Sequence, residues 1–422
     1  MTRRLLSLAG LTLALAAPAP ALATPAADYV VVLREAVERR AAAIDALERA
    51  RGFAATHRYS AALGGFAARL TAAQVERLQA APDVAYVTPD VEVRGDAAAT
   101  KRSREIIPTG VRRVGAAGAP AKGAAVAVLD TGLDLDSRDL AAVDGANCLK
   151  PGAPAKDDNG HGTHVAGTIA GRDTGRGVVG VAPGAPVYAV KVLDHKGGGT
   201  LARILCGLDW VAERAAGLGI RAVNMSLGAP GRDDGDCGRA AEDPLHAAVC
   251  RVVAAGVTVV ASAGNAGAPI SGVAPASYPE VLTVAGMTDT DGAAGGAGPE
   301  ACVDGETDDT AWTGSNYGTT AADAAHLIAA PATCVVSTKR GGGTLTMTGT
   351  SMAAPHVTGA VARCAGTPVA PGPCAGLTPA ETIARLRHDA EGAAVTGLGF
   401  AGDPLAPPAN GRFYGALVDA SY

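Results

Sequence analysis

Aromatic side chains are scarce in this 422-residue sequence, with four Phe, two Trp and eight Tyr. Rings cannot fill its core, so small and branched residues must do so through close approach of helices and strands. No Cys-x-x-Cys occurs among the eight cysteines, which removes the usual spacing of zinc ribbons and dithiol redox sites. No basic run occurs and the formal net charge is −5, which argues against a nucleic-acid or anionic-membrane surface. After the N-terminus no stretch reaches the roughly 18 apolar residues of a membrane span. His161 and His164 stand three apart, but no Glu occupies the position that helical zinc proteases use, and no third ligand is near. A metal is therefore not expected there.

What is present begins with Arg3 and Arg4, an apolar stretch from Leu5 to Ala17, and Ala21-Leu22-Ala23. That pattern predicts a secretory signal over residues 1–23, and hence a secreted, extracellular protein. An even cysteine count in an exported chain predicts four disulfides. The local pairs are Cys237–Cys250 and Cys364–Cys374, and Cys302–Cys334 and Cys148–Cys206 follow by elimination.

Residues 24–97 read as a small module. Strands are expected at Tyr29 to Leu33, Phe53 to Tyr59, Gly65 to Leu70 and Val84 to Val87. Helices are expected over Glu35 to Arg51 and after Thr71, where Gln74 completes a capping box. The order βαββαβ is the ferredoxin-like α+β arrangement. His57 is a lone histidine in it, read as surface or structural. Val91 to Arg104 is polar and aperiodic and reads as a cleavable linker, which makes the module a pro-region or an accessory domain.

In residues 98–422 strands and helices alternate. Strands are expected at Ala124 to Leu129, Pro186 to Leu193, Ile220 to Leu227, Val257 to Ala261 and Val281 to Ala285. Helices are expected over His161 to Gly171, Thr200 to Ala216 and Ala240 to Ala255. Strands apolar on both faces predict an α/β fold, a parallel sheet with helices on both faces. Ligands bind such sheets beyond the carboxyl ends of the strands. That rule gathers Asp130, Ser226-Leu227-Gly228 and Gly264-Asn265 on one edge, with His161 and Ser351 each opening a helix.

Serine needs a base to become a nucleophile. His161 supplies one, and Asp130 fixes its tautomer and stabilises the imidazolium. The Asn265 amide and the Ser351 N–H are placed to donate to an oxyanion. The alternative for Ser351 is a helix N-cap, a common use of serine. An α/β-hydrolase elbow needs Gly-x-Ser-x-Gly, and Ala353 replaces its second glycine.

The stretches Ala125 to Gly132, Asn159 to Gly167 and Gly349 to His356 resemble the three active-site motifs of the subtilisin-like serine proteases. Ala261 to Asn265 is similar to that family's oxyanion segment, and Val190 to Asp194 to its proteinase K branch. The N-terminal module resembles the family's inhibitory pro-domain through Gly65 to Leu70 and Val84 to Asp90. The resemblance implies a serine endopeptidase made as a self-processing zymogen, cut near Asp96 to Ala99. It would act on protein and peptide substrates, with its own pro-domain as inhibitor; composition suggests no oligomer, and a monomer is expected. Substrate would lie extended between Gly197-Gly198-Gly199 and Ser226-Leu227-Gly228. The first specificity pocket, lined by Leu227, Ala263 and Gly264, carries no charge, which implies broad preference for apolar or aromatic residues. No cofactor is implied for catalysis, and a structural calcium remains open. Two departures matter: Ala332 replaces the glycine of Ala-Ala-Pro-Gly, and Leu327 replaces a calcium-binding Asp. The insertion 287–315 carries Asp289, Asp291, Asp304, Glu306, Asp308 and Asp309. It reads as a solvated acidic loop, or alternatively as a calcium loop. A silent binding protein on the same fold is the competing reading, which the intact Asp130, His161, Asn265 and Ser351 oppose.

Overall fold

The computed structural model describes residues 26–34, 40–95, 98–102, 105–118, 123–404 and 411–422, with backbone alone for residues 95 and 98–102. The expected export signal lies outside the described residues.

The N-terminal module has the expected order: β1 Ala27–Leu33, α1 Arg40–Arg51, β2 Ala55–Tyr59, β3 Gly65–Leu70, α2 Ala72–Gln79 and β4 Val84–Pro89. Its four strands form an antiparallel sheet in the order β2-β3-β1-β4. The Thr71–Gln74 capping box opens α2. Alternation along β1 makes two apolar faces. Val31 and Leu33 pack with Ile44, Leu47 and Phe66 inside the module. Val30 and Val32 join the core of the larger module instead, beside Leu201, Leu205 and Leu208. The module is thus docked by one whole sheet face.

Two short strands follow, β5 Glu92–Gly95 and β6 Ala98–Arg102. The aperiodic linker is therefore not structureless. A sequence without its own pairing pattern becomes a strand when a neighbouring edge supplies the hydrogen bonds.

The larger module continues with α3 Thr109–Arg113, β7 Ala125–Asp130, β8 Ala141–Asn147, α4 His161–Ala170, β9 Pro186–Lys191 and β10 Gly198–Thr200. Next come α5 Leu201–Leu218, β11 Ile220–Met225, β12 Leu227–Pro230, α6 Pro244–Ala254, β13 Thr258–Ser262, β14 Val273–Ala274, β15 Val281–Thr288 and β16 Thr310–Ala311. The chain closes with α7 Ala321–Ala324, β17 Leu327–Pro331, β18 Val335–Thr338, β19 Thr344–Thr348, α8 Thr350–Ala365 and α9 Pro379–Ala393. Strands β17, β15, β13, β11, β7, β9 and β8 lie side by side and all pair in parallel. Every residue of β7 is buried. Its Val126 and Val128 face the cluster built by α4 and α8, and its Ala125, Ala127 and Leu129 the one built by α5 and α6. The expected α/β fold, helices covering both faces of a parallel sheet, is what forms.

Two elements differ from expectation. Edge strand β8 carries Asp144, Gly145 and Asn147 and gives no strand signal in sequence; pairing with β9 makes it one. The expected strand Ile220 to Leu227 breaks at Ser226, which frees Leu227–Pro230 to leave the sheet as β12. The four disulfides are Cys148–Cys206, Cys237–Cys250, Cys302–Cys334 and Cys364–Cys374, the pairing expected.

One buried group sets a pH dependence. His246 on α6 stacks on Tyr278 at 4.0 Å and places Nε2 2.9 Å from Glu280. Burial opposes its charge, but Glu280, Asp233 and Asp243 outweigh burial and raise its pKa above 6.5. A raised folded-state value means the stabilisation is full below about pH 6.5 and fades as pH rises through the folded pKa. Thermal unfolding of Ser351→Ala with and without His246→Gln should differ more at pH 5.5 than at pH 9. An equal difference at both pH values would refute a charged His246.

Candidate active site

Three strand ends and two helix starts build the site. Asp130 is the last residue of β7 and is fully buried. His161 is the first residue of α4 and is 4% exposed. Its Nδ1 stands 2.8 Å from both Asp130 carboxylate oxygens. A carboxylate only accepts, so Nδ1 carries the proton and Nε2 is the basic nitrogen of the neutral ring. Gly162 permits this approach: a Cβ there would lie 2.2 Å from the Gly132 carbonyl oxygen.

The loop before His161 is organised by Asp157, a buried carboxylate. Its Oδ1 accepts from the Thr131 hydroxyl at 2.8 Å and from the N–H groups of Asn159 and Gly160 at 2.9 and 2.8 Å. Its Oδ2 accepts from the N–H and hydroxyl of Thr163 at 3.1 and 2.5 Å. Thr131 Oγ1 in turn accepts from the Gly162 N–H at 3.0 Å. Asp157 therefore ties the segment after Asp130 to the first turn of α4. Asp157→Ala should cost about 3 kcal/mol of stability or more, because it strands several buried donors. Urea unfolding of Ser351→Ala with and without the change measures this, and a loss under about 1 kcal/mol would overturn the role.

Lys191, buried at the end of β9, reinforces the same corner. Its Nζ donates to the Thr131 carbonyl at 2.6 Å, the Leu193 carbonyl at 3.0 Å and Asp158 at 2.6 Å. The neighbouring carboxylates Asp157 and Asp158 thus diverge, one inward and one to a lysine, and form no acid–base pair.

Ser351 lies in the first turn of α8, whose N-cap is Gly349. The N-cap reading of Ser351 is thereby corrected. Its Oγ donates to the Ser226 carbonyl at 3.2 Å, and the Ser226 hydroxyl donates to the Ser351 carbonyl at 2.8 Å. Break point and nucleophile candidate are locked together. The helix start leaves backbone N–H groups and a positive dipole end beside Ser351.

Asn265 follows the end of β13 and is exposed. Its Oδ1 accepts from the Thr350 N–H at 2.9 Å and the Thr350 hydroxyl at 2.7 Å. Thr350 Oγ1 accepts from the Gly264 N–H at 3.1 Å. The N–H can only donate, so the amide orientation is fixed and Nδ2 is left as the outward donor. Thr350 carries no signal in sequence beyond adjacency to Ser351, and neither Asp157 nor Lys191 declares its role there.

The expected substrate segments bracket a strand. On one side β5 pairs antiparallel with β10, Arg94 with Gly198, Val93 with Gly199 and Glu92 with Thr200. On the other side it pairs antiparallel with β12, Gly95 with Leu227 and Arg94 with Gly228. Gly197 turns the chain before β10 at φ +78°. Leu227 and Ala263 are buried, and Gly264 takes φ +102° above Asn316.

The subtilase family profile matches residues 121–415 and the peptidase inhibitor I9 profile residues 28–96. The chain belongs to the subtilase family. The subtilase is 37% identical over 294 residues to alkaline elastase YaB from Bacillus sp. (strain YaB), covering 68% of this chain and 65% of the elastase. It is 39% identical over 262 residues to subtilisin Savinase from Lederbergia lenta, covering 61% of this chain and 83% of the relative. An extracellular serine proteinase from Thermus sp. (strain Rt41A) is 33% identical over 315 residues, covering 72% of this chain and 67% of the relative. The matched region of the elastase thus falls just short of two thirds of its length. Among the described residues no helix is long and apolar enough to cross a membrane.

Lone histidines resolve individually. His57 Nε2 lies 2.8 Å from the Cys148 carbonyl oxygen, so it belongs to the contact between the modules. His164 and His356 are fully buried, and burial lowers them to about 3 and about 4. Both remain neutral packing groups. His195 is exposed in its loop.

Proposed function

We propose that this subtilase is a secreted serine endopeptidase, made as a zymogen that cuts itself. Ser351 is the nucleophile, His161 the general base and then acid, and Asp130 the group that orients and stabilises the imidazolium. Ser351 Oγ leaves its long bond to the Ser226 carbonyl, gives its proton to His161 Nε2 and attacks the substrate carbonyl. The oxyanion receives Asn265 Nδ2–H and the Ser351 N–H. Collapse expels the amine with the proton from His161, and water then hydrolyses the acyl-enzyme by the same route.

The observation that carries this reading is β5. A strand from the C-terminal tail of the chain's own N-terminal module lies between β10 and β12 as an extended substrate would. Beyond it β6 pairs antiparallel with β19, Ala98 with Thr348, the strand that leads into Gly349 and Ser351. The two ladders support a cut between Gly95 and Ala98, hence a boundary near residues 97 and 98. Uncharged walls at Leu227, Ala263 and Gly264 support apolar or aromatic residues before the cut. The extracellular Thermus relative and the predicted signal support export.

Mass spectrometry of the N-terminus tests the reading. Wild type should begin at Asp96, Ala97 or Ala98, and Ser351→Ala should keep the N-terminal module. If both are trimmed alike, the cut is made by another protease. If neither is trimmed and neither cleaves a peptide, the catalytic reading fails.

The N-terminal module acts in this proposal as the intramolecular inhibitor, in keeping with its I9 match. Asp209 on α5 anchors it by accepting from the N–H groups of Ser60, Ala61 and Ala62 at 2.9, 2.5 and 2.8 Å. Asp209→Ala should weaken inhibition by the added module about tenfold to a hundredfold, since three charge-assisted bonds are lost. An unchanged Ki would remove Asp209 from the inhibitory contact.

A further inference from the structure

The insertion after β15 is solvated over residues 290–307, as its composition suggests, but not at its two ends. Asp289, Asp308 and Asp309 are buried, while Asp304 is exposed. Asp309 has a partner: its Oδ1 takes Arg113 Nε at 2.8 Å, and its Oδ2 accepts the N–H groups of Gly295 and Gly296 at 2.6 and 3.2 Å. Asp289, Asp291 and Asp308 form no ion pair among the described residues. Arg112 stands beside them but directs its terminal nitrogens to the carbonyls of Ile107 and Asp291, at 2.8 and 3.1 Å.

The three carboxylates are held in place. Asp308 accepts from the N–H and hydroxyl of Thr290 at 2.7 and 3.0 Å, and from the Gly298 N–H at 2.8 Å. Asp289 Oδ1 accepts from the Gly292 N–H and Asp291 Oδ1 from the Ala293 N–H, at 2.9 and 2.8 Å. Asp289 is 2% exposed, and its Oδ2 is buried without a hydrogen-bond partner. One oxygen from each of the three residues lies within 4.8 Å of the other two. A buried carboxylate oxygen without a donor, next to two more carboxylates, favours uptake of either a proton, the direction in which burial moves Asp289, or a cation that touches all three.

We propose that Asp289, Asp291 and Asp308 bind one calcium-sized divalent cation. An all-oxygen donor set without His or Cys selects a hard ion. Oxygens bound to one calcium at its usual bond lengths stand at most about 5 Å apart, so the spacing admits a single ion touching all three. Asp291 is half-buried, which leaves one side open for water ligands. The bound ion pins the start of the insertion to Asp308, while Cys302–Cys334 fastens its far part to the turn before β18. The site is separate from the position where Leu327 stands in place of a liganding Asp.

Calcium titration by calorimetry, on full-length Ser351→Ala stripped with chelator, tests the assignment. Asp289→Asn, Asp308→Asn and Asp291→Asn should each remove one calcium per chain or weaken it at least about tenfold, and magnesium should bind more weakly than calcium. Saturating calcium should raise the parent's Tm by about 3–6 °C, and the variants should lose most of that rise. No calcium binding by the parent would overturn the proposal. So would unchanged stoichiometry and affinity in the variants. Asp291→Asn, on a half-exposed residue, keeps the test decisive if the buried changes prevent folding.

Discussion

Ser351→Ala, His161→Ala and the double variant should all lose kcat by about the same factor, about a million-fold, on an apolar peptide amide. That magnitude is the one known for subtilisin and is carried over, while the equality of the three follows from the chemistry. The hydroxyl without its base is a poor nucleophile, and the base without the hydroxyl has nothing to activate. Asp130→Asn should cost less, because it removes the stabilised imidazolium and the correct tautomer but leaves both reacting groups. Its carboxylate meets Nδ1 through both oxygens at 2.8 Å, so replacing one oxygen with NH₂ sets a donor against the Nδ1–H. Single-turnover kinetics on the purified variants measures the four rates. Multiplicative losses in the double variant would show that Ser351 and His161 do not act as one unit.

Asn265→Ala should lower kcat about a hundredfold to a thousandfold with KM changed less than about twofold, because its donor meets charge that exists only in the transition state. Thr350→Val removes the hydroxyl that donates to Asn265 Oδ1 at 2.7 Å and accepts from the Gly264 N–H at 3.1 Å. Its cost should be about tenfold in kcat, and Thr350→Ser should restore most of it. In the Asn265→Ala background Thr350→Val should add little, because its effect passes through the Asn265 amide. Independent, additive losses would assign Thr350 a different role. The same kinetics, read as kcat against KM, separates loss of transition-state contact from loss of substrate binding.

Much of this protein was legible in its sequence. Strands apolar on both faces can be buried only between two helical layers, so β7, β13 and β15 dictate a covered parallel sheet. The capping box at Thr71 and the alternation in β1 likewise fix the small module locally. Asp130, His161, Ser351 and Asn265 stand out in the sequence as candidates because each sits where a periodic segment ends or begins, and because three motifs recur in family order.

Other features were decided only by tertiary contact. Strands β5, β6 and β8 have no pattern of their own and form because an edge beside them offers unpaired N–H and C=O groups. Asp157, Lys191 and Thr350 are ordinary loop, strand and turn residues in sequence. Their partners lie up to 86 positions away, as with Thr350 and Gly264. The acidic insertion buries Asp289, Asp308 and Asp309 for the same reason. A carboxylate's spacing along the chain does not reveal whether it faces water, an arginine such as Arg113, or two other carboxylates. Local sequence sets periodicity and caps through contacts within a few residues. Burial and electrostatic partnership depend on groups brought together by the whole fold, and only the tertiary structure supplies them.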